Sequence, residues 1–234
     1  MNRPSPSSER QALLTLTVMF SLVIVLVVMA RLPGNERPAP TFPENAVEAR
    51  RVIADAERNV RAHPDDGQAQ FAYGLSLMWL GRKSEARPWL ARAEEQLPHW
   101  AWPPNALGWV LLDQHDYAGA LPHFQRAVSL DSSYASAFYN LAWTLARLDR
   151  LEEAEAAYAT ALRLEPGDAD IAAEYATTLF RDRKTSQAIA QIYRAIGLDS
   201  TAARFHATAG YFLRSRARFA DARAEFRRAV ELDP

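Results

Sequence analysis

The sequence predicts an all-α protein: an array of helix pairs stacked into an α-solenoid, preceded by a capping helix and by one N-terminal transmembrane helix. Three observations predict it. Ala86, Ala120, Ala154, Ala188 and Ala222 stand 34 residues apart, and Ala93, Ala127, Ala161, Ala195 and Ala229 follow seven residues behind at the same interval. Other columns keep that period without insertion or deletion, among them Leu77, Leu111, Leu145, Leu179 and Leu213. The third observation is an uncharged apolar run from Ala12 to Ala30. A fixed period of this length means that each unit cannot bury its own apolar face and must stack on its neighbours.

The elements follow in chain order. A tail of residues 1–11 precedes the run, which spans nineteen residues and holds Leu, Ile, Val or Phe at twelve of them. At about −0.3 to −0.6 kcal/mol for each central position, those twelve favour insertion by roughly 4 to 7 kcal/mol. At ~1.5 Å per residue the helix reaches about 28 Å, the depth of a bilayer core. Val28-Met29-Ala30 offers small residues of the kind a signal peptidase takes, but the run exceeds the 7–15 residues of a signal core. An uncleaved anchor is therefore expected. Arg3 and Arg10 on one side balance Arg31 and Arg37 on the other, so charge does not orient the segment. The shortness of the tail places it in the cytoplasm and the repeats outside, in a periplasm-like compartment. Residues 31–43 carry Pro33, Pro38, Pro40 and Pro43, which keep a spacer extended.

From Glu44 to His63 runs an amphipathic helix closed by Pro64, which lies 34 residues before Pro98. The segment 44–66 is in phase with a second helix lacking its first, a half-repeat that caps the stack. Within the repeats the spacing is helical: Phe138, Leu141, Ala142 and Leu145 recur at three and four residues, and Ala154, Tyr158, Ala161 and Leu162 do so in the next helix. The short link 148–151 makes the two antiparallel. Small residues at 74, 108, 142, 176 and 210 are predicted to face the large apolar Leu90, Phe124, Tyr158, Ile192 and Phe226. Pro98, Pro166 and Pro234 end second helices, because proline cannot continue a helix and disfavours it one residue earlier.

These columns resemble the tetratricopeptide repeat family, whose 34-residue pattern sets a small residue at its eighth position, Ala at twenty and twenty-seven, an aromatic at twenty-four and Pro at thirty-two. The resemblance implies a right-handed solenoid of five repeats, 67–100, 101–134, 135–168, 169–202 and 203–234, over roughly 70% of the chain. The pattern departs at the fourth position, where an aromatic is usual and Gln70, Pro104, Phe138, Ala172 and His206 stand. It departs again in the fourth unit, where Arg183 and Ile192 replace a glycine and an aromatic.

In that family the first helices line a concave groove. The matching positions imply a partner-binding surface of Phe71, Leu75, Trp79, Trp102, Asn105, Trp109, Tyr139, Trp143, Arg147, Phe180 and Tyr211, with Asn140 beside them. Trp109 and Trp143, 34 apart, are expected to stack on adjacent helices, and Asn105 and Asn140 to hydrogen-bond an extended partner backbone. Aromatics that each remove ~150–250 Å² from water would together hold a bound segment by several kcal/mol before ordering costs, at about 25 cal/mol per Å². The cationic clamp of chaperone-binding members is not matched: Phe71, Leu75, Ala106, Ser136 and Asn140 occupy its positions.

Composition excludes other classes. A net charge of −1 without a basic stripe argues against nucleic acid as a partner. The basic cluster in the fifth repeat is interleaved with carboxylates, the pattern of a solvated face. Absence of cysteine removes disulfides and thiol chemistry. The five histidines form no metal-ligand spacing, and neither a phosphate loop nor a nucleophile elbow is found, so no cofactor, metal or catalytic residue is expected. Arginine outnumbers lysine 25 to 2, a bias that looks bacterial. The expected function is a non-enzymatic, membrane-tethered scaffold or assembly factor of a bacterial envelope, holding an apolar or aromatic segment of a protein partner. The alternative is a glycan-binding role in polysaccharide export on the same aromatic groove. The last repeat has no covering helix after Pro234, so Phe226 and Val230 are expected to meet a partner, a second copy, or further chain.

Overall fold

A computed structural model of the chain describes residues 46–233. The expected tail, membrane helix and Pro-rich spacer lie outside the described residues. Among the described residues no helix is long and apolar enough to cross a membrane. Those residues form eleven helices and no strand. Helix α1 (Ala46–Ala62) is followed by five pairs: α2 (Gly67–Trp79) with α3 (Lys83–Gln96), α4 (Trp102–Asp113) with α5 (Tyr117–Leu130), α6 (Ala135–Arg147) with α7 (Leu151–Leu164), α8 (Ala169–Arg181) with α9 (Thr185–Leu198), and α10 (Ala203–Ser215) with α11 (Phe219–Leu232). Every second helix starts 34 residues after the one before. Helix α1 packs on α2 as each second helix packs on the next first helix.

The turn inside each pair is made the same way five times. Gly81, His115, Asp149, Arg183 and Ala217 sit at φ between 59° and 72°, the left-handed conformation that stops a helix. The next N–H, from Arg82, Asp116, Arg150, Lys184 or Arg218, then donates to the carbonyl of Leu77, Leu111, Leu145, Leu179 or Leu213 at 2.9–3.1 Å. The leucine column therefore fixes the turn through its backbone while its side chains, at most 3% exposed, fill the core. Arg183 adopts this geometry although only glycine does so without strain, at about 1–2 kcal/mol for a side chain. The fourth unit, irregular in sequence, is regular in backbone.

Packing within a pair rests on the small-against-large columns. A Cβ added at Gly74 would lie 2.8 Å from Leu90, and one at Gly108 2.8 Å from Phe124, so the helices touch across glycine. Leu90, Phe124, Tyr158 and Ile192 are all fully buried, and each apolar side chain so buried contributes about 1.5–3 kcal/mol. Asp66, Asp116 and Asp168 cap α2, α5 and α8 by accepting backbone N–H bonds, as N-cap carboxylates do.

Candidate functional site: a groove closed at one end and open at the other

The first helices of successive pairs approach one another, α2 to α4, α4 to α6 and α6 to α8, whereas second helices pack chiefly on first helices. The array therefore curves with the first helices on the inside. The expected groove residues do lie on these helices, but the structure divides them into two groups.

Toward the N-terminal end the inner face is sealed. Phe71, 4% exposed, meets the edge of Trp100 at 4.7 Å between ring centres. Trp100 stacks on Trp102 at 5.8 Å, and Trp102 on Tyr134 at 6.2 Å. Trp102 and Tyr134 are buried. Asn105 donates to the Tyr134 hydroxyl at 3.0 Å, and Asn140 donates to the Asn105 side-chain oxygen at 3.0 Å. Burial pushes the Tyr134 phenol well above its ordinary range, so it stays a neutral partner for Asn105. The expectation that Asn105 and Asn140 serve a partner's backbone is corrected: both amides tie neighbouring repeats together. Phe71 and Trp102 are corrected likewise, from exposed anchors to core. The cause lies in the connections, where Trp100 and Tyr134 occupy one column and fill the crevice between pairs. That pair of aromatics, 34 apart, is the signal the groove positions alone did not include. Leu75 and Trp79, farther along α2, remain partly exposed.

In the second and later repeats too, the far ends of the first helices stay open. Trp109 and Trp143 are partly exposed and take different neighbours instead of stacking on each other. The Lys83 ammonium sits 4.5 Å from the Trp109 ring, and Trp143 meets Tyr117 edge to face at 5.9 Å. The Arg147 guanidinium lies 4.6 Å from the Trp143 ring centre, a cation–π contact. Tyr139 is half-buried against Tyr158 at 6.0 Å. Phe180 stacks on Phe212 at 4.4 Å, and Tyr211, 48% exposed, closes on Phe180 from the side.

Between α6 and α8 the face deepens into a cleft of about 470 Å³ lined by Trp143, Arg147, Tyr158, Glu174 and Arg181, together with Ala146, Thr177 and Thr178. Arg181 donates to the Ala146 carbonyl at 2.7 Å and to Asp149 at 3.0 Å. Burial, then the nearby Asp170 carboxylate, push the Glu174 carboxyl above its ordinary range, while Arg147 and Arg204 draw it back. Sequence position did not mark Glu174, which projects from the flank of α8.

At the C-terminal end Phe226 is half-buried, because its ring packs against Gly210, where an added Cβ would come within 2.8 Å. Val230 and Phe219 are 65% and 66% exposed. The expected apolar end is thus carried by Val230 and Phe219 more than by Phe226.

Comparison with known proteins agrees with this geometry. The family model for the tetratricopeptide repeat matches residues 46–99 and 105–169, just over half of the chain. No curated protein sequence matches it. Among solved structures, YrrB, a TPR protein with an unusual peptide-binding site, superposes with a TM-score of 0.68 at 17% identity, over 78% of this chain and 94% of that one. MamA from Desulfovibrio magneticus RS-1 gives 0.68 at 18% identity, over 71% and 94%. PilF of Pseudomonas aeruginosa gives 0.64 at 19% identity, over 78% of each. At such identities the likeness establishes the fold.

Proposed function

The chain belongs to the tetratricopeptide repeat family, and from that premise we propose that it holds an extended segment of a partner protein along the open half of its inner face. The observation that carries the reading is the row of partly exposed rings, Trp109, Trp143, Phe180 and Tyr211, on consecutive first helices that face inward together. Tyr211 at 48% exposure, beside a half-covered Phe180, is apolar surface that a bound segment would cover. YrrB, similar in fold, carries a peptide-binding site. The role needs no chemistry of the chain's own.

The apolar run 12–30 tethers this groove to a membrane and places it on the extracytoplasmic side, so the partner is an envelope protein. Val230 and Phe219 at the far end offer a surface for self-association. Mass spectrometry of the mature protein checks the tether, which a chain beginning at Arg31 would refute. Light scattering of the full chain in detergent checks the association: a monomer at every concentration would refute it.

The test of capture is tryptophan fluorescence of the full chain, titrated with arrayed peptides and with soluble glycans. Peptides rich in aromatic and aliphatic residues are expected to shift the emission, and a Trp143→Ala/Tyr211→Ala variant to lose the response while keeping its helical spectrum. A response to glycans alone would replace this reading with the polysaccharide one.

A further inference from the structure

The open half of the groove carries a charge that its rings do not explain. In the third, fourth and fifth pairs the turn between the two helices, with the last residues leading into it, holds Arg147, Arg183, Arg214 and Arg216, all exposed. Each turn is built alike and the pairs stack in order, so these turns lie along one edge of the array. Neighbouring cations are paired: Arg150 with Glu153, Arg181 with Asp149, Lys184 with Asp182, and Arg218 with Asp221. Those pairs leave Arg147, Arg183, Arg214 and Arg216 without an ion pair among the described residues. The carboxylates left over are Glu152, at the start of α7, and Glu174, in the cleft beside Arg147. In the first pair the cations at this edge are matched, Arg82 by Glu85 and Lys83 by Asp113.

A helix dipole favours a cation in the last turn, which accounts for Arg147 and Arg214. Arg183 and Arg216 stand beyond that turn, before the positive end of the next helix. Helix stability does not ask for them there.

Two of the guanidiniums lie on rings that a captured segment covers. Arg147 is 4.6 Å from the Trp143 ring centre, and Arg214 is 5.3 Å from that of Tyr211. A segment that shields those rings also takes water from both guanidiniums, and an ion desolvated without a partner is costly. Lysine or arginine in the segment would add repulsion. Carboxylates would supply the partners, accepting from the fork of donors that a guanidinium presents.

We propose that the captured segment is acidic as well as aromatic, with carboxylates that pair with Arg147, with Arg183, and with Arg214 and Arg216 together. Successive first helices stand about 10 Å apart, the spacing of packed helices, and an extended chain covers that in about three residues at ~3.3 Å each. The acids therefore recur at about every third residue, so that one faces each turn. This rests on the groove reading above and adds to it a charge and a spacing.

The test is selection of a display library of random dodecapeptides on the full chain in detergent, counter-selected on the Trp143→Ala/Tyr211→Ala variant. Enriched peptides are expected to carry aromatic or aliphatic residues with Asp or Glu at about every third position. Replacing those acids by Asn or Gln in the synthetic peptide should weaken binding about tenfold, as for a few exposed ion pairs acting together. Raising the ionic strength to about 1 M, where the screening length is ~3 Å, should remove most of that difference. A variant with Arg147→Gln, Arg183→Gln and Arg214→Gln should bind the acidic peptide and its amide counterpart alike, with an unchanged helical spectrum. If that variant still prefers the acidic peptide, the arginines are not the partners and the proposal fails. Enriched peptides that are neutral or basic would overturn the charge and leave the groove standing. Capture of vesicles containing phosphatidylserine, dependent on the same arginines and unaffected by acidic peptides, would assign this edge to a membrane surface and overturn the proposal. A selection that enriches nothing over the counter-selected variant would overturn the groove reading with it.

Discussion

Trp102 and Trp143 both ride on the inner helices of neighbouring repeats, yet one is 8% exposed core and the other lines an open cleft. They stand at different places along their helices, Trp102 at the second position of its repeat and Trp143 at the ninth, and the connection lies opposite the first of these. Trp100 and Tyr134 end the first two repeats with aromatics, and these sandwich Trp102 from both sides. The third and fourth repeats end with Asp168 and Ala202 in that column. Asp168 caps α8, and neither residue carries an aromatic ring. In the first two repeats the starts of the inner helices serve as cement, while the far ends of the same helices keep partly exposed side chains.

The largest effect expected from this contrast is on stability. Trp102→Ala should cost about 3–5 kcal/mol, the cost of removing a buried Trp side chain and leaving a cavity. Trp143→Ala, with one edge already in water and a single ring pair to lose, should cost under about 2 kcal/mol. Denaturant unfolding followed by circular dichroism measures both, and equal costs would break the division into closed and open halves.

A smaller effect separates the last repeat from the rest. Ala217 holds the left-handed turn with φ 59° and has no side-chain bond to offset the strain. Ala217→Gly should therefore stabilise by about 0.5–1 kcal/mol, the relief of strain exceeding the added freedom of the unfolded chain. Hydrogen exchange should register the gain in α10 and α11 and leave α2 to α5 unchanged. A uniform gain would mean that the array unfolds as one unit, without a weaker open end.

The smallest effect concerns the cleft itself. The Glu174 carboxyl titrates above its ordinary value in the folded chain, so folding favours its protonated form. The stabilising protonation is complete below the ordinary glutamate range near pH 4.3 and is lost as pH rises through the folded value. Glu174→Gln should then be slightly more stable than the parent at pH 7, with the gap closing by about pH 3.5. Denaturation midpoints at the two pH values check the sign. A variant less stable than the parent at pH 7 would mean that the carboxylate is satisfied in the folded chain.

The columns that carry the fold were legible because their environment is periodic. Ala86 to Ala222 meet the same neighbour five times and are at most 3% exposed throughout, so the residue type repeats with the site. Phe226 breaks the series, half-buried where Tyr158 is sealed, because among the described residues no helix packs on the outer side of α11. The groove was legible only as a face. Position along the repeat placed Trp102, Trp109 and Trp143 on the inner helices, but assigned Asn105 and Asn140 to a partner when they bond to each other across 35 residues.

By itself the sequence determined the period, the helical spacing inside a repeat and the small-against-large columns, since all of these follow from contacts within a repeat or between identical neighbours. Tertiary structure alone decided which inner aromatics are closed, which are open, and that Arg147 and Glu174 line one cleft. Those facts depend on what the adjacent repeat sets opposite each side chain, and a local pattern that is the same in every repeat holds no information about how neighbours differ.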